Sequence, residues 1–225
     1  MTPADWLVQH VNLLPKSGDA LDVACGHGRH AFWFAQRGLR VRALDRDAAA
    51  IADIQRDAQR AGLPLTAEVF DLEQPGVSLG HQRFDVIVVV HYLHRPLFTA
   101  LLEALRPDGL LIYETFTLAQ AARGKPTNPD FLLGEGELRR LIAPLEVLDY
   151  REGTFGDREV ASAVARKSQT PVWTGGNSAR TLNRRRWLSV PPLLAPSHQA
   201  CRHRAGAEKN DESPEALVVM TCVFD

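Results

Sequence analysis

A single α/β domain with a largely parallel sheet is predicted by three features of the chain. Short apolar runs alternate with amphipathic stretches from Asp19 onward, Phe84 to Val90 is an almost unbroken Val/Ile run, and a glycine turn separates the first run from the helix after it. With 225 residues, 45% of them hydrophobic and 24% charged, the chain is long enough to bury one such core.

The elements follow in order. Trp6, Leu7, Val11 and Leu14 recur at helical spacing and predict a leading helix from Asp5 to about Leu14, closed by Pro15 and Gly18. A strand over Asp19 to Ala24, a helix over Arg29 to Arg37 and a strand over Leu39 to Leu44 come next, with Gly38 where a helix C-terminal glycine belongs. Asp47 to Ala61 sets Ile51, Ile54, Ala58 and Ala61 on one face, stops at Gly62 and leads to a strand around Leu65 to Phe70. Phe84 to Val90 reads as a central strand, because a strand covered by helices on both faces has no polar side. A helix from about Arg95 to Leu105, a turn at Arg106-Pro107-Asp108-Gly109 and a fifth strand over Leu110 to Thr115 complete the parallel part. A helix over Leu133 to Ala143 precedes two strands, Leu145 to Tyr150 and Glu159 to Ala165. The short link through Gly153, Gly156 and Asp157 demands an antiparallel hairpin, since a parallel pair needs a crossover of a dozen or more residues.

Three acidic positions accompany the glycine turn. Gly26 and Gly28 let the backbone turn tightly and leave room for a ligand at the following helix N-terminus, where a nucleoside-type cofactor fits. Asp45, at the end of the second strand, is placed to accept hydrogen bonds from both hydroxyls of a ribose. After the third strand, Asp71 can accept an adenine amino group while Leu72 packs on the ring. The glycine pattern alone, Gly26-x-Gly28-x-x-Ala31, also suits a dinucleotide. Asp22 argues otherwise, because a carboxylate inside the strand before the turn suits a cationic ligand end and gains nothing beside a pyrophosphate.

These residues together resemble the class I S-adenosylmethionine-dependent methyltransferases. The likeness is carried by Leu21-Asp22 and Cys25-Gly26-His27-Gly28, by Asp45, Asp71-Leu72, the Phe84-Asp85 strand, the Leu105 to Gly109 turn and the closing hairpin, and it covers about Asp5 to Lys167. Cys25 to Ala31, Tyr92 to Pro96 and Asn128 to Leu133 are similar to the bacterial small-molecule branch that includes tellurite-resistance and thiopurine-type methyltransferases. The resemblance implies a Rossmann-like α/β sheet of order 3-2-1-4-5-7-6, strand 7 antiparallel, with helices on both faces. It implies S-adenosylmethionine as cofactor, held by Asp22, Gly26, Gly28, Asp45, Asp71, Leu72 and His91, and a lid over the acceptor from Asn128 to Leu133. Two departures stand out: Gly134-Glu135-Gly136 replaces the more familiar Arg-Pro-Gly before Glu137-Leu138, and the region after Lys167 has no counterpart.

Methyl transfer to a small-molecule or soft-anion acceptor is the expected reaction. The candidates for a direct chemical part are His91, just past the fourth strand, and Glu114, at the end of the fifth; Arg95 either binds an anionic acceptor or caps its loop. The alternatives are a non-catalytic S-adenosylmethionine binder and an NAD(P)-dependent oxidoreductase, the latter disfavoured by Asp22, Asp71 and the hairpin. A base-amino methyltransferase is disfavoured too, because His91 to His94 replaces the expected Asn/Asp-Pro-Pro-aromatic sequence.

The net charge of -1 gives no field for gripping phosphates, so nucleic acid is not an expected partner. Cys25, Cys201 and Cys222 are too scattered for a disulfide framework, and neither a signal segment nor an apolar run of membrane-spanning length is evident; a cytoplasmic enzyme is expected, with no membrane partner. His27, His30, His91 and His94 form two His-x-x-His pairs, but no carboxylate or thiolate completes a set, and no metal is expected. The methyltransferase domain is expected over 1–167. An irregular tail is expected over 168–225, with five of the 14 prolines, the basic cluster Arg184 to Arg186 and one possible strand from Ala216 to Phe224.

Overall fold

The computed structural model describes residues 2–169. The expected tail and its Ala216 to Phe224 strand lie outside the described residues. Seven strands form one sheet: β1 (Gly18–Val23), β2 (Leu39–Asp45), β3 (Leu65–Val69), β4 (Phe84–Val90), β5 (Leu105–Phe116), β6 (Glu146–Phe155) and β7 (Arg158–Arg166), in the order β3-β2-β1-β4-β5-β7-β6. The first five are parallel, while β7 runs antiparallel to both β5 and β6. This is the strand order that the resemblance implies, and the closing pair is the antiparallel hairpin read from its short link.

Alternation along the central strands divides the core in two. Leu21, Val23, Ile87 and Val89 point to one face and pack with helix α4 (Leu97–Ala104) and helix α5 (Glu137–Leu141). Ala20, Val86 and Val88 point to the other, beneath Trp6 and Leu7 of α1 (Asp5–Gln9), Phe34 of α2 (Arg29–Ala35), and Ile51 and Ile54 of α3 (Ala48–Ala61). Asp47 caps α3 by accepting the N–H groups of Ala49 and Ala50, and Gly62 ends it at φ +62°, a left-handed conformation that glycine adopts without penalty. No helix among the described residues is long and apolar enough to cross a membrane.

The departures from the sequence reading are local. The leading helix stops at Gln9 and continues only as a 3-10 turn over Val11–Leu13. The helix expected over Leu133 to Ala143 is five residues long and starts at Glu137, because Gly136 stands at φ +61° and the chain before it makes a 3-10 turn at Pro129–Phe131. Strand β5 begins at Leu105, where the chain was read as still helical; a register shift beside Phe84 absorbs the intervening turn.

Register decides where the site lies. Val23 is level with Leu44 and Val89, and Val90 with Glu114, so β1, β2, β4 and β5 release their chains at one edge. β7, running the other way, enters from that same edge, with Val160 level with Phe116. Leu111, fully buried on β5, packs within the core on the α4 side. Replacing it with alanine should lower the unfolding free energy by about 2–5 kcal/mol, measured by urea titration with an unchanged slope.

Candidate functional site at the carboxyl edge of the sheet

The turn after β1 is built from left-handed backbone. Ala24 stands at φ +52°, Gly26 at +53° and Gly28 at +77°, and the turn is tied down by Cys25 N–H donating to Leu44 O (3.0 Å) and Gly28 N–H to Cys25 O (2.9 Å). The two glycines serve different ends. A Cβ at Gly28 would stand 2.9 Å from Ile54 Cδ1, so this glycine permits α2 to pack on α3; a Cβ at Gly26 would meet nothing within 4 Å and would project into open space. The sequence reading anticipated the tight turn and the room left beside it, but not the packing of α2 on α3 at Gly28.

Asp45 joins β2 to this turn. Its Oδ2 accepts Gly26 N–H at 2.7 Å and its Oδ1 accepts Asp47 N–H at 3.0 Å, which fixes the carboxylate at the strand end with lone pairs left over. Asp71 is exposed, with Oδ1 accepting Glu73 N–H at 2.9 Å, and Leu72 beside it is buried in the core. Asp22 is different: it is 1% exposed, its Oδ2 accepts Ala31 N–H at 2.9 Å in the first turn of α2, and His30 Nδ1 stands 3.8 Å from its Oδ1. A buried carboxylate at a helix N-terminus stabilises the helix through its orphan N–H groups.

Across the edge, His91 also has left-handed backbone, at φ +60°. A non-glycine residue held there carries strain of order 1–3 kcal/mol, and Ala24 and His91 place that strain on neighbouring strand ends, a distribution common at ligand sites. The His91 imidazole stacks on Phe116 at 4.7 Å between centroids and has Arg158 Nη1 at 3.3 Å from its Nε2. Burial, then the charges of Arg158 and Arg29, pushes its pKa down to about 4, so it is neutral near pH 7 and a weaker base than a free imidazole. Glu114, by contrast, is 7% exposed; its Oε2 accepts from Arg151 Nη2 (3.0 Å) and from Ser162 Oγ (2.8 Å), which ties β5 to the hairpin. Arg95 is a clamp: it bonds Glu137 through Nε (2.6 Å) and donates to the carbonyls of Asp130 and Leu132 (2.9 Å each), fastening the segment read as a lid.

Three residues absent from the expected site belong to this edge. Tyr92 buries its hydroxyl without a partner among the described residues, and Glu73, Arg46, Asp71 and Asp45 are the charged groups near it. Its position two residues past β4 was the available signal. Arg29 is half-buried in the first turn of α2 and Arg158 opens β7; neither the glycine motif nor the hairpin pattern marks an arginine as functional, and only the fold brings them together. The Cys25 thiol has its pKa pushed up by burial and by the carboxylates of Asp22 and Asp45, so it is no thiolate nucleophile. Among the described residues no group of three or more His, Cys, Asp or Glu could hold a metal ion.

Comparison with known proteins places this edge in context. Residues 20–109 match the family model described as a methyltransferase domain. The chain is 32% identical over 137 residues to Hemagglutinin 1 of Eikenella corrodens, a match covering 59% of this chain and 45% of that protein. Among solved structures it is similar to TehB from Haemophilus influenzae, with TM-score 0.60 and 20% identity over 73% of this chain and 62% of that one. It is also similar to a SAM-dependent methyltransferase from Methanosarcina mazei, with TM-score 0.59 and 18% identity over 76% of this chain and 100% of that one. The chain thus spans less than two thirds of the length of both the curated relative and TehB.

The depressed pKa of His91 has a consequence for the free protein. Because the folded state disfavours the charged ring, the unfolded chain binds that proton first; the stability His91 contributes is whole above its ordinary value of 6.5 and is lost as the pH falls toward about 4. A proton NMR titration should give one ring midpoint near 4, assigned to His91 by its disappearance in His91→Gln.

Proposed function

We propose that this chain is a class I methyltransferase and transfers a methyl group from S-adenosylmethionine to a small-molecule acceptor, a reading supported by the methyltransferase-domain match over residues 20–109 and by the strand order. The observation that carries the reading is the Gly26 turn held open by Asp45: a glycine whose missing side chain faces empty space, fixed by a carboxylate with hydrogen-bonding capacity to spare. The residues present fit an adenosyl cofactor. Asp45 supplies acceptors for ribose hydroxyls, Asp71 an acceptor for an adenine amino group, and Leu72 an apolar neighbour. The orphan hydroxyl of Tyr92 is a further polar group on the nucleoside side. Asp22 acts from below, holding α2 in place and setting a negative charge under the region where the cationic part of the cofactor would lie.

When bound, S-adenosylmethionine supplies an electrophilic methyl group on a sulfonium centre. The work left to the chain is alignment and water exclusion, effects worth on the order of 7–11 kcal/mol when two reactants are held in line. His91 is the group that takes a proton from an acceptor that must lose one: it is neutral, lies at the end of β4 and is held in orientation by Phe116. Glu114 acts as a positioning residue through Arg151 and Ser162.

Asp45→Ala should weaken binding of both S-adenosylmethionine and S-adenosylhomocysteine by about 10- to 100-fold, as expected for losing hydrogen bonds to a charged group, in calorimetric titration. Unchanged affinity would remove the carboxylate from the cofactor site, and preferential binding of NADH would favour the oxidoreductase reading.

A further inference from the structure

The chain leaves β4 through residues 91–96 before α4 begins at Leu97, and β5 holds the start of that loop from three points. Glu114 O accepts His91 N–H at 2.8 Å, and the Phe116 ring stacks on the His91 imidazole. The third tie comes from a side chain in the core. Tyr113 Oη donates to the Tyr92 carbonyl at 2.8 Å, and no other partner of that carbonyl lies among the described residues. Tyr113 is 1% exposed and stacks on Phe98 of α4 at 5.1 Å between centroids, inside an apolar cluster with Leu97, Leu101 and Leu111. Packing alone does not call for its hydroxyl. Phenylalanine fills the same space, and a buried hydroxyl is unfavourable unless it is hydrogen-bonded, so the bond to Tyr92 is what accounts for a tyrosine here.

The carbonyl it holds lies one residue past His91, whose backbone stands at φ +60°. A histidine in the left-handed region is higher in energy than in an extended or helical one, and it stays there only where its surroundings fix the chain on both sides. Before His91 the chain is fixed by β4, whose Val89 and Val90 are level with Tyr113 and Glu114. After it, the Tyr92 carbonyl is the first main-chain group with a hydrogen-bond partner among the described residues. Without that bond the chain past His91 is free to relax toward an ordinary conformation, and the ring moves with it.

We propose that Tyr113 is a positioning residue for His91: through the Tyr92 carbonyl its hydroxyl holds the exit from β4 in a left-handed turn and so keeps the imidazole stacked on Phe116. This rests on the reading of His91 as the proton acceptor given above. Tyr113 is sealed in the core, with its hydroxyl committed to the carbonyl, and it acts only through the loop.

The His91 ring reports this tie without an assay of turnover. Its pKa is held down to about 4 by burial first and then by Arg158 of β7 and Arg29 and His30 of α2. Tyr113→Phe changes none of those groups, so a shift in the titration of His91 measures displacement of the ring. In proton NMR on the full chain, Tyr113→Phe should raise the His91 midpoint by about one pH unit or more, toward its ordinary value of 6.5. Ile51→Ala, a core truncation on the opposite face of the sheet, should lower stability and leave the midpoint within about 0.3 of wild type. An unmoved midpoint in a folded Tyr113→Phe chain overturns the proposal, and so does an equal rise in Ile51→Ala, which would make the shift a matter of stability alone. The wild-type chain gives an independent reading if Tyr113→Phe does not fold. Its Tyr113 hydroxyl proton is expected as a slowly exchanging resonance with a nuclear Overhauser contact to the peptide between Tyr92 and Leu93; a rapidly exchanging hydroxyl overturns the proposal. Binding of S-adenosylhomocysteine to the wild-type chain, measured by calorimetry, is scored separately: its absence sinks the methyltransferase reading, while the midpoints still decide whether Tyr113 positions His91.

Discussion

The parallel register of β1, β2, β3 and β4 brings four chain exits to one edge, and each group at the site takes its place from that alignment. Parallel strands must be linked by crossovers; here α2, α3 and α4 lie on three of them, residues 70–83 link β3 to β4 without a helix, and helices cover both faces of the sheet. The edge is left as the place where irregular backbone meets solvent. Asp45 ends β2, Gly26, Asp71 and His91 lie just past the ends of β1, β3 and β4, and the hydrogen bond from Gly26 N–H to Asp45 Oδ2 couples the first two exits into one unit. Ligand sites in open α/β sheets form at this edge for that reason.

The two halves of the edge are built with different chemistry. On the β2 and β3 side, carboxylates accept backbone N–H groups and keep spare lone pairs, which suits a ligand rich in hydroxyl and amino donors. On the β4, β5 and β7 side, cations predominate and the carboxylates are committed: Glu114 to Arg151 and Ser162, Glu159 to Arg123 and Thr154. Antiparallel β7 makes this asymmetry possible, because it returns the hairpin end, with Arg158, to the edge where the parallel strands finish. An all-parallel sheet would send that end of the strand away from the site.

Most of this sheet was legible in the chain, since its signals are local and strong. Gly38 and Gly62 follow the ends of helices α2 and α3, the Phe84 to Val90 run is β4 to the residue, and the short link at Gly156-Asp157 forced the antiparallel hairpin. The geometry of the candidate site was legible where a backbone motif announces it. Gly26, Gly28 and Asp45 lie within one stretch of chain, and the fold brings Gly26 and Asp45 into contact. What could not be read depended on partners distant in sequence. Arg95 was read as binding an anionic acceptor or capping its loop; its bonds reach Glu137, Asp130 and Leu132, 35 to 42 residues away, and tie it to the chain around the 3-10 turn at Pro129–Phe131. Glu114, a candidate for a direct chemical part, has Arg151 and Ser162 on its Oε2, partners 37 and 48 residues away that no local pattern announces. The convergence of Arg158 with His91 joins positions 67 residues apart, and no local pattern encodes it. The helix expected over Leu133 to Ala143 was read too long, because apolar spacing from Leu133 onward is helical while Gly136 takes a left-handed backbone just before Glu137.

The most direct measurement is a crystal structure of the chain grown with S-adenosylhomocysteine. The ribose hydroxyls are expected on Asp45, the adenine amino group on Asp71, and the sulfur over the turn between Ala24 and His91, open toward Arg158. A ligand bound away from Gly26 and Asp45, or one whose ribose leaves Asp45 untouched, would contradict the assignment of this edge as an adenosyl cofactor site.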